Sequence, residues 1–169
     1  MTDGLSFRPA RAAEIGRVRE IEQISATRFV GTSRAAIADD EPTDVDTLAR
    51  RIAEGGLLVA AADEIPVAFV MFRELEGCAY VEQIDVLPSH ARRAIGAALL
   101  DTVTAVARSR GWAALTLSTF KDVPFNAPYY RRLGFVEVEA LTPGMAAIRV
   151  EHEARGLDES SRVFMRREI

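Results

Sequence analysis

The stretch Val86-Leu-Pro-Ser-His-Ala-Arg-Arg-Ala-Ile-Gly-Ala-Ala-Leu-Leu-Asp101 decides the fold. Pro88 has no N–H to give to a ladder, so a strand ends there. Beyond residue 94, Ile95, Leu99, Val103 and Val106 recur at three- and four-residue spacing, which predicts an amphipathic helix. The first N–H groups of that helix have no partner within it. A short basic loop leading into them therefore makes an anion site, helped by the helix dipole and by Arg92 and Arg93. A plain βα turn with two solvated arginines has the same local pattern, and the junction alone does not separate the two readings.

Upstream, Ala79 to Val86 reads as a strand with Tyr80, Glu82, Ile84 and Val86 on one face and Val81, Gln83 and Asp85 on the other. Downstream, the helix closes near Arg110 with Gly111 behind it, and Ala114 to Phe120 returns as a strand. This is a βαβ unit, so the two strands are expected to run parallel. Towards the N-terminus, Leu5 to Arg8 predicts a strand. A helix is expected from about Ala12 to Phe29, with Ile15, Val18, Ile21 and Ile24 on one stripe. Val30 to Pro42 predicts a mobile connection. Thr43, with Asp46 three residues on, predicts the start of a second helix carrying Val45, Leu48 and Ile52, stopped by Gly55-Gly56. Leu57 to Ala62 and Ile65 to Phe72 flank Asp63-Glu64 as an antiparallel hairpin, with Pro66 at an edge or bulge. Near the C-terminus, Asn126 is expected to cap a short helix ending at Gly134, followed by a strand over Phe135 to Glu139, a helix from Thr142 to about Arg155 and a last strand over Arg162 to Arg166. The element order is βααβββαβαβ, a late helix, then β: a mixed α+β chain.

The 169 residues carry a net charge of −4, with 49% hydrophobic and 27% charged side chains, values of a globular chain expected to be one domain, fraying only at Met1 to Gly4. The acidic balance argues against nucleic acid and accommodates a cationic substrate. One Cys and two His give no metal-ligand spacing, so no metal is expected. Neither a leader nor a membrane-length apolar run is read, and a cytoplasmic location is expected.

Pro88, Arg93, Ile95, Gly96 and Ala98-Leu99-Leu100 resemble the pyrophosphate-binding motif of the GNAT superfamily of acyl-CoA N-acyltransferases, Pro-x-x-Arg-Gly-Arg-Gly-Ile-Gly-x-Ala-Leu-Leu. Ala91 stands where that family usually has Arg or Gln, Arg92 where it has Gly, and Ala94 at its first helix Gly, where helical dihedrals would accommodate the methyl. The alternative register Arg93-x-x-Gly96-x-Ala98 would bury the loop in the helix. A second segment, Asn126-Ala-Pro-Tyr-Tyr-Arg-Arg-Leu-Gly-Phe135, resembles the family's Tyr-x-x-x-Gly-Phe, with Tyr130 as its Tyr. The element order is similar over nearly the whole chain, the helix between the last two strands being a departure. The resemblance implies a mostly antiparallel twisted central sheet with a parallel βαβ unit at the acyl-CoA site and helices on both faces.

It also implies the chemistry. Acetyl-CoA would bind as co-substrate, its pyrophosphate on Arg92, Arg93, Ala94, Ile95, Gly96 and Ala97 and its pantetheine arm along Ile84, Asp85 and Val86. Asn126 would add a contact, although the family's Asn lies further before the Tyr. Transfer to an amine needs a neutral nucleophile and a proton for the departing thiolate. Tyr130 is the expected general acid, a phenol with a pKa of about 10 that keeps its proton at neutral pH. Glu82 is the expected general base, against the plain reading of a strand glutamate paired with an arginine. Asp85 and the Asp39-Asp40-Glu41 cluster are the alternatives for holding a cationic substrate. The acceptor is expected to be a primary amine of a small molecule or peptide, and Arg162 to Arg167 with an edge strand could support a homodimer. A longer-chain acyl donor, a non-catalytic acyl-CoA sensor or partner-binding module, and a structural protein with an accidental motif are the competing readings.

Overall fold

The computed structural model describes residues 4–32, 41–157 and 159–169. The expected mobile connection falls largely on residues 33–40, which lie outside the described residues, as do Asp39 and Asp40. Among the described residues, seven strands and five helices follow in the order β1 Leu5–Pro9, α1 Ile15–Ser25, α2 Val45–Ala53, β2 Leu57–Ala62, β3 Ile65–Leu75, β4 Cys78–Val86, α3 Ile95–Ser109, β5 Ala114–Phe120, α4 Ala127–Arg132, β6 Val136–Glu137, α5 Pro143–Ala154 and β7 Arg162–Glu168. The strands hydrogen-bond in the order β1-β2-β3-β4-β5-β7-β6. β4 and β5 are parallel through Ala79↔Leu115 to Val81↔Leu117, as the βαβ reading requires, while the pairs of β1 with β2, β2 with β3, and β7 with β5 and β6 are antiparallel.

The chain divides into two compact units, Met1–Arg73 with Glu82–Val106, and Glu74–Val81 with Ala107–Ile169. In the first, Val18 and Ile21 of α1, Leu48 of α2, Val59 of β2, Val67, Phe69 and Met71 of β3, and Leu87 form one buried cluster. The β2–β3 hairpin turns on Asp63 and Glu64, both at positive φ (49° and 66°), the sign both central residues of a type I′ turn take. Its register slips between Ala60 and Ala61 beside Pro66, the expected bulge. Gly56 must be glycine, because a Cβ there would collide with the Phe72 carbonyl, and the Gly56 carbonyl accepts from Phe72 N (2.8 Å).

Several boundaries differ from expectation. The helix expected over residues 12–29 is α-helical only from Ile15 to Ser25, with a 3-10 turn on either side, and Ile24 is exposed. Residues at strict three-residue spacing drift round a helix that turns about 100° per residue, so the fourth member of the Ile15 series lies opposite the first. Asp44, not Thr43, caps α2, accepting from Thr47 N (3.3 Å), because Glu22 of α1 already holds the Thr43 amide (2.9 Å) and hydroxyl (3.1 Å). Val45, between the exposed Asp44 and Asp46, stays half in water and leaves Leu48 and Ile52 as the stripe.

In the second unit Tyr80, Met145, Ile148 and Phe164 pack together with Leu75, Val138 and Leu141 against them. Thr142 caps α5 by accepting from Met145 N (3.2 Å), and Glu76, in the β3–β4 turn, accepts from the Thr142 hydroxyl (2.6 Å) and from Gly144 N (3.1 Å). β6 is shorter than the strand expected over 135–139, because Phe135 turns into the core and its N–H closes α4 on the Tyr130 carbonyl (3.0 Å).

Candidate functional site

β4 runs through Glu82 to Val86 and leads into the basic loop. A 3-10 turn over Pro88–His90 follows, with the Ser89 hydroxyl 2.9 Å from His90 Nδ1. Ala91 is extended, then Arg92 and Ala94 both take positive φ (62° and 58°) before α3 begins at Ile95. The Ala94 carbonyl accepts the first helical bond, from Ala98 N (3.0 Å). Ala94 therefore does not take the helical dihedrals expected of it. Arg92 and Ala94 stand where the motif has glycine, and the left-handed backbone is kept without glycine, which costs about 1–3 kcal/mol at each position. A backbone that visits the left-handed region just ahead of a helix turns successive N–H groups into one concavity, a nest for an anion. The amides of Ile95, Gly96 and Ala97 open into the first turn, Ile95 buried and the other two half-buried, with Arg92 exposed and Arg93 half-buried beside them.

The carboxylates of β4 are both engaged. Glu82 accepts from Arg51 through both oxygens (2.5 and 3.0 Å) and from Arg73 Nε (3.3 Å), with only 18% of its side chain exposed. Asp85 is buried, its Oδ2 accepting from Gln83 Nε2 (2.7 Å) and its Oδ1 lying 3.3 Å from Arg28 Nη2. Burial pushes the Asp85 carboxyl up, against the opposing pull of Arg28 and of hydrogen bonds from Gln83 and Ser25. Burial also raises Glu22, to which the charge of Asp85 adds, while its bonds from Thr43 oppose the shift. Ile84 and Val86 are half-buried on the same strand. Sequence reasoning missed Arg51, Arg73, Arg28 and Ser25, since nothing in their spacing announces a partner on β4.

The second unit holds the other expected residues. Tyr130 is buried, with its ring 5.4 Å from that of Tyr129 and 5.7 Å from Phe135, both edge-on. Burial raises the Tyr129 phenol, partly countered by Arg132. Asn126 precedes α4 but its side chain makes no capping bond, contrary to expectation. Its Oδ1 is buried without a hydrogen-bond partner, an open acceptor suited to an amide N–H such as the pantetheine arm carries. Cys78 is buried and its Sγ accepts from Arg166 (3.5 Å). Arg166 also pairs with Glu168 (2.6 Å), and Arg167 donates to the Leu133 carbonyl (3.0 Å). His152 bonds the buried Glu159 (2.6 Å). Among the described residues no three His, Cys, Asp or Glu gather as metal ligands, and no helix is long and apolar enough to cross a membrane.

The acetyltransferase (GNAT) family model matches residues 18–135, more than half of the chain. The chain belongs to this family. Among solved structures, it superposes on PaiA N-acetyltransferase from Thermoplasma acidophilum in complex with coenzyme A with a TM-score of 0.73 at 15% identity, covering 98% of this chain and 99% of that one. Ard1 from Thermoplasma volcanium gives 0.71 at 19% identity, covering 98% of each chain. The ribosomal-protein-S18-alanine N-acetyltransferase from Escherichia coli gives 0.66 at 19%, covering 98% of this chain and 94% of that one. These likenesses establish the shared fold, a mixed sheet with the parallel β4–β5 pair.

Proposed function

We propose that the protein transfers an acetyl group from acetyl-CoA to a primary amine of a small molecule or peptide by direct attack, as a soluble cytoplasmic enzyme. The observation that carries this reading is the loop of left-handed Arg92 and Ala94 opening onto the amides of α3. The pyrophosphate would rest on those amides with Arg92 and Arg93, and the pantetheine arm would take backbone bonds from Ile84 to Val86, beyond the pairs that tie β4 to β5. The neutral amine attacks the thioester carbonyl, its N–C bond forms and the C–S bond breaks. The amine yields a proton to a base and Tyr130 gives one to the thiolate, leaving amide and free thiol. Glu82 serves as that base only if the arginines that hold it release one oxygen, and its engaged state favours a second reading, a non-catalytic acyl-CoA-binding module.

The test is the melting temperature with and without acetyl-CoA. At one hundred times its dissociation constant a ligand stabilises by about 2.7 kcal/mol, or about 5–10 °C for a chain of this size. Gly96→Glu should abolish the shift. Tyr130→Phe should keep the shift and lower kcat about a hundredfold. No shift in the wild type overturns the reading, a shift without any transfer leaves the binding module, and a Tyr130→Phe rate equal to wild type removes Tyr130 as the acid.

A further inference from the structure

The reaction needs a base, and both oxygens of Glu82 are engaged by Arg51. Imidazole is the side chain whose ordinary pKa, about 6.5, suits that task at neutral pH. His152 continues the inward stripe of α5, Met145 and Ile148, one turn further on, half-buried between the exposed Glu151 and Glu153. Its Nδ1 meets Oε1 of the buried Glu159 at 2.6 Å. Arg162 Nε stands 3.8 Å from the other oxygen, and its guanidinium lies over the Phe120 ring at 4.4 Å. The proton of the His152–Glu159 bond therefore belongs on Nδ1, which leaves Glu159 its charge to share with Arg162 and leaves Nε2 bare.

Strand register fixes where this pair lies. Directly opposed residues share a face, so Thr116, Ser118 and Phe120 of β5 lie with Tyr80, Phe164 and Arg162 on the face that α5 covers. Phe120 is the last residue of β5, beyond the final pair with β4, Val81↔Leu117. On the opposite face, Phe135 lies against Arg167 (5.0 Å) and Tyr130 (5.7 Å). His152 and Tyr130 thus flank the carboxyl end of β5 from its two faces. The end is pinned there, since Lys121 N donates to the carbonyl of Ser161 (2.9 Å), in the 3-10 turn that holds Glu159. Under α5, the hydroxyls of Thr116 and Ser118 are buried without a hydrogen-bond partner, beside the apolar Tyr80, Met145, Ile148 and Phe164. Open hydroxyls in such surroundings are destabilising until a polar group meets them, and an amine is one.

We propose that Nε2 of His152 takes the proton of the attacking amine and that Glu159 is the positioning residue that fixes its tautomer. The proposal rests on the acetyltransferase reading and gives that reading its base. As the N–C bond forms, the amine proton passes to Nε2; as the C–S bond breaks, Tyr130 protonates the thiolate on the other face. The imidazolium then gives its proton to solvent, and the phenolate regains one.

The experiment is steady-state acetylation of spermidine, L-lysine and alanyl-alanine at pH 8 by wild type, His152→Gln, His152→Ala and Glu159→Gln, with acetyl-CoA melting shifts alongside. For the amine that the wild type acetylates fastest, the His152 variants should lose about a hundredfold in kcat and Glu159→Gln about tenfold to a hundredfold. The acetyl-CoA KM and melting shift should stay within twofold. Added imidazole should restore part of the rate to His152→Ala and none to Glu159→Gln, which a merely structural role would not produce. A spectrum correlating the ring protons with the ring nitrogens, assigned by the signals missing from His152→Gln, should show the proton on Nδ1 of His152. A kcat within twofold of wild type in both His152 variants, a loss that imidazole does not relieve, or a proton on Nε2 overturns the proposal alone. A wild type that binds acetyl-CoA but acetylates none of the amines overturns the transfer reading and this proposal with it.

Discussion

Replacing Ala94 by glycine should make the protein more stable, an unusual expectation for a residue at the edge of a helix. Ala94 sits at φ 58° and its carbonyl accepts the first bond of α3. An L-residue with a Cβ pays about 1–2 kcal/mol in the left-handed region. Glycine pays nothing there, but its unfolded chain is freer by about 0.4–1 kcal/mol. Glycine is also the better residue at the head of a helix, where alanine is among the worst. The net gain is about 1 kcal/mol, or about 2–4 °C in Tm for a chain of this length. Ala94→Val should lose more than Ala94→Gly gains, because a branched side chain is a genuine outlier at that φ. Calorimetric melting of the three proteins without ligand is the assay. A Tm for Ala94→Gly at or below wild type would show that the backbone there is not left-handed, and the nest-like anion loop would lose its basis.

Three further outcomes follow from partners on β4 and α4. Arg51→Met should cost about 2 kcal/mol in urea unfolding, since it strips two donors from Glu82, a carboxylate with 18% of its side chain exposed, and leaves it to Arg73; an unchanged midpoint would make the pair inconsequential. The Asp85 carboxyl is raised by burial, so it contributes stability while protonated, fully below its unfolded value of about 4, and that contribution is lost as pH rises through the higher folded value. The drop in Tm from pH 5 to pH 8 should therefore be smaller in Asp85→Asn than in wild type, though not absent, because Glu22 is raised as well; a larger drop in the variant would reverse the sign. Asn126→Leu should leave the fold intact, since the side chain caps nothing, and shrink the acetyl-CoA melting shift if its buried oxygen serves the cofactor.

What could be read from the residues was whatever depends on neighbours in sequence. The β4–loop–α3–β5 path follows from Pro88, the apolar spacing of Ile95 to Val106 and Gly111, and all of it is present. The hairpin at Asp63-Glu64 and the bulge by Pro66 are equally local. What escaped depends on contacts across the fold. Thr43 looks like a cap as good as Asp44 until Glu22 is seen to occupy its amide and hydroxyl. Phe135 belongs by propensity to a strand, but its N–H is spent closing α4. Ala94, just ahead of the helix, is expected at helical dihedrals that accommodate its methyl, and only the loop geometry makes it left-handed. At the site, residue types on β4 mark Glu82 and Asp85 as chemistry-bearing, whereas their partners Arg51, Arg73 and Arg28 come from elements distant in sequence, with no pattern to betray them.

The place of β7 has a consequence for how the chain is made. β5 pairs with it along its whole length, Ala114↔Glu168 to Phe120↔Arg162, and β6 pairs with its other edge. Until residues 162–168 have been synthesised, β5 therefore shows an open edge. Its sequence Ala-Leu-Thr-Leu-Ser-Thr-Phe holds no charge, the composition that invites pairing with another molecule. The strand that finally covers it carries Arg162, Arg166, Arg167 and Glu168. A nascent or clipped chain lacking those few residues loses both the cover and its charges, so the last strand acts as the protein's own guard against aggregation during birth.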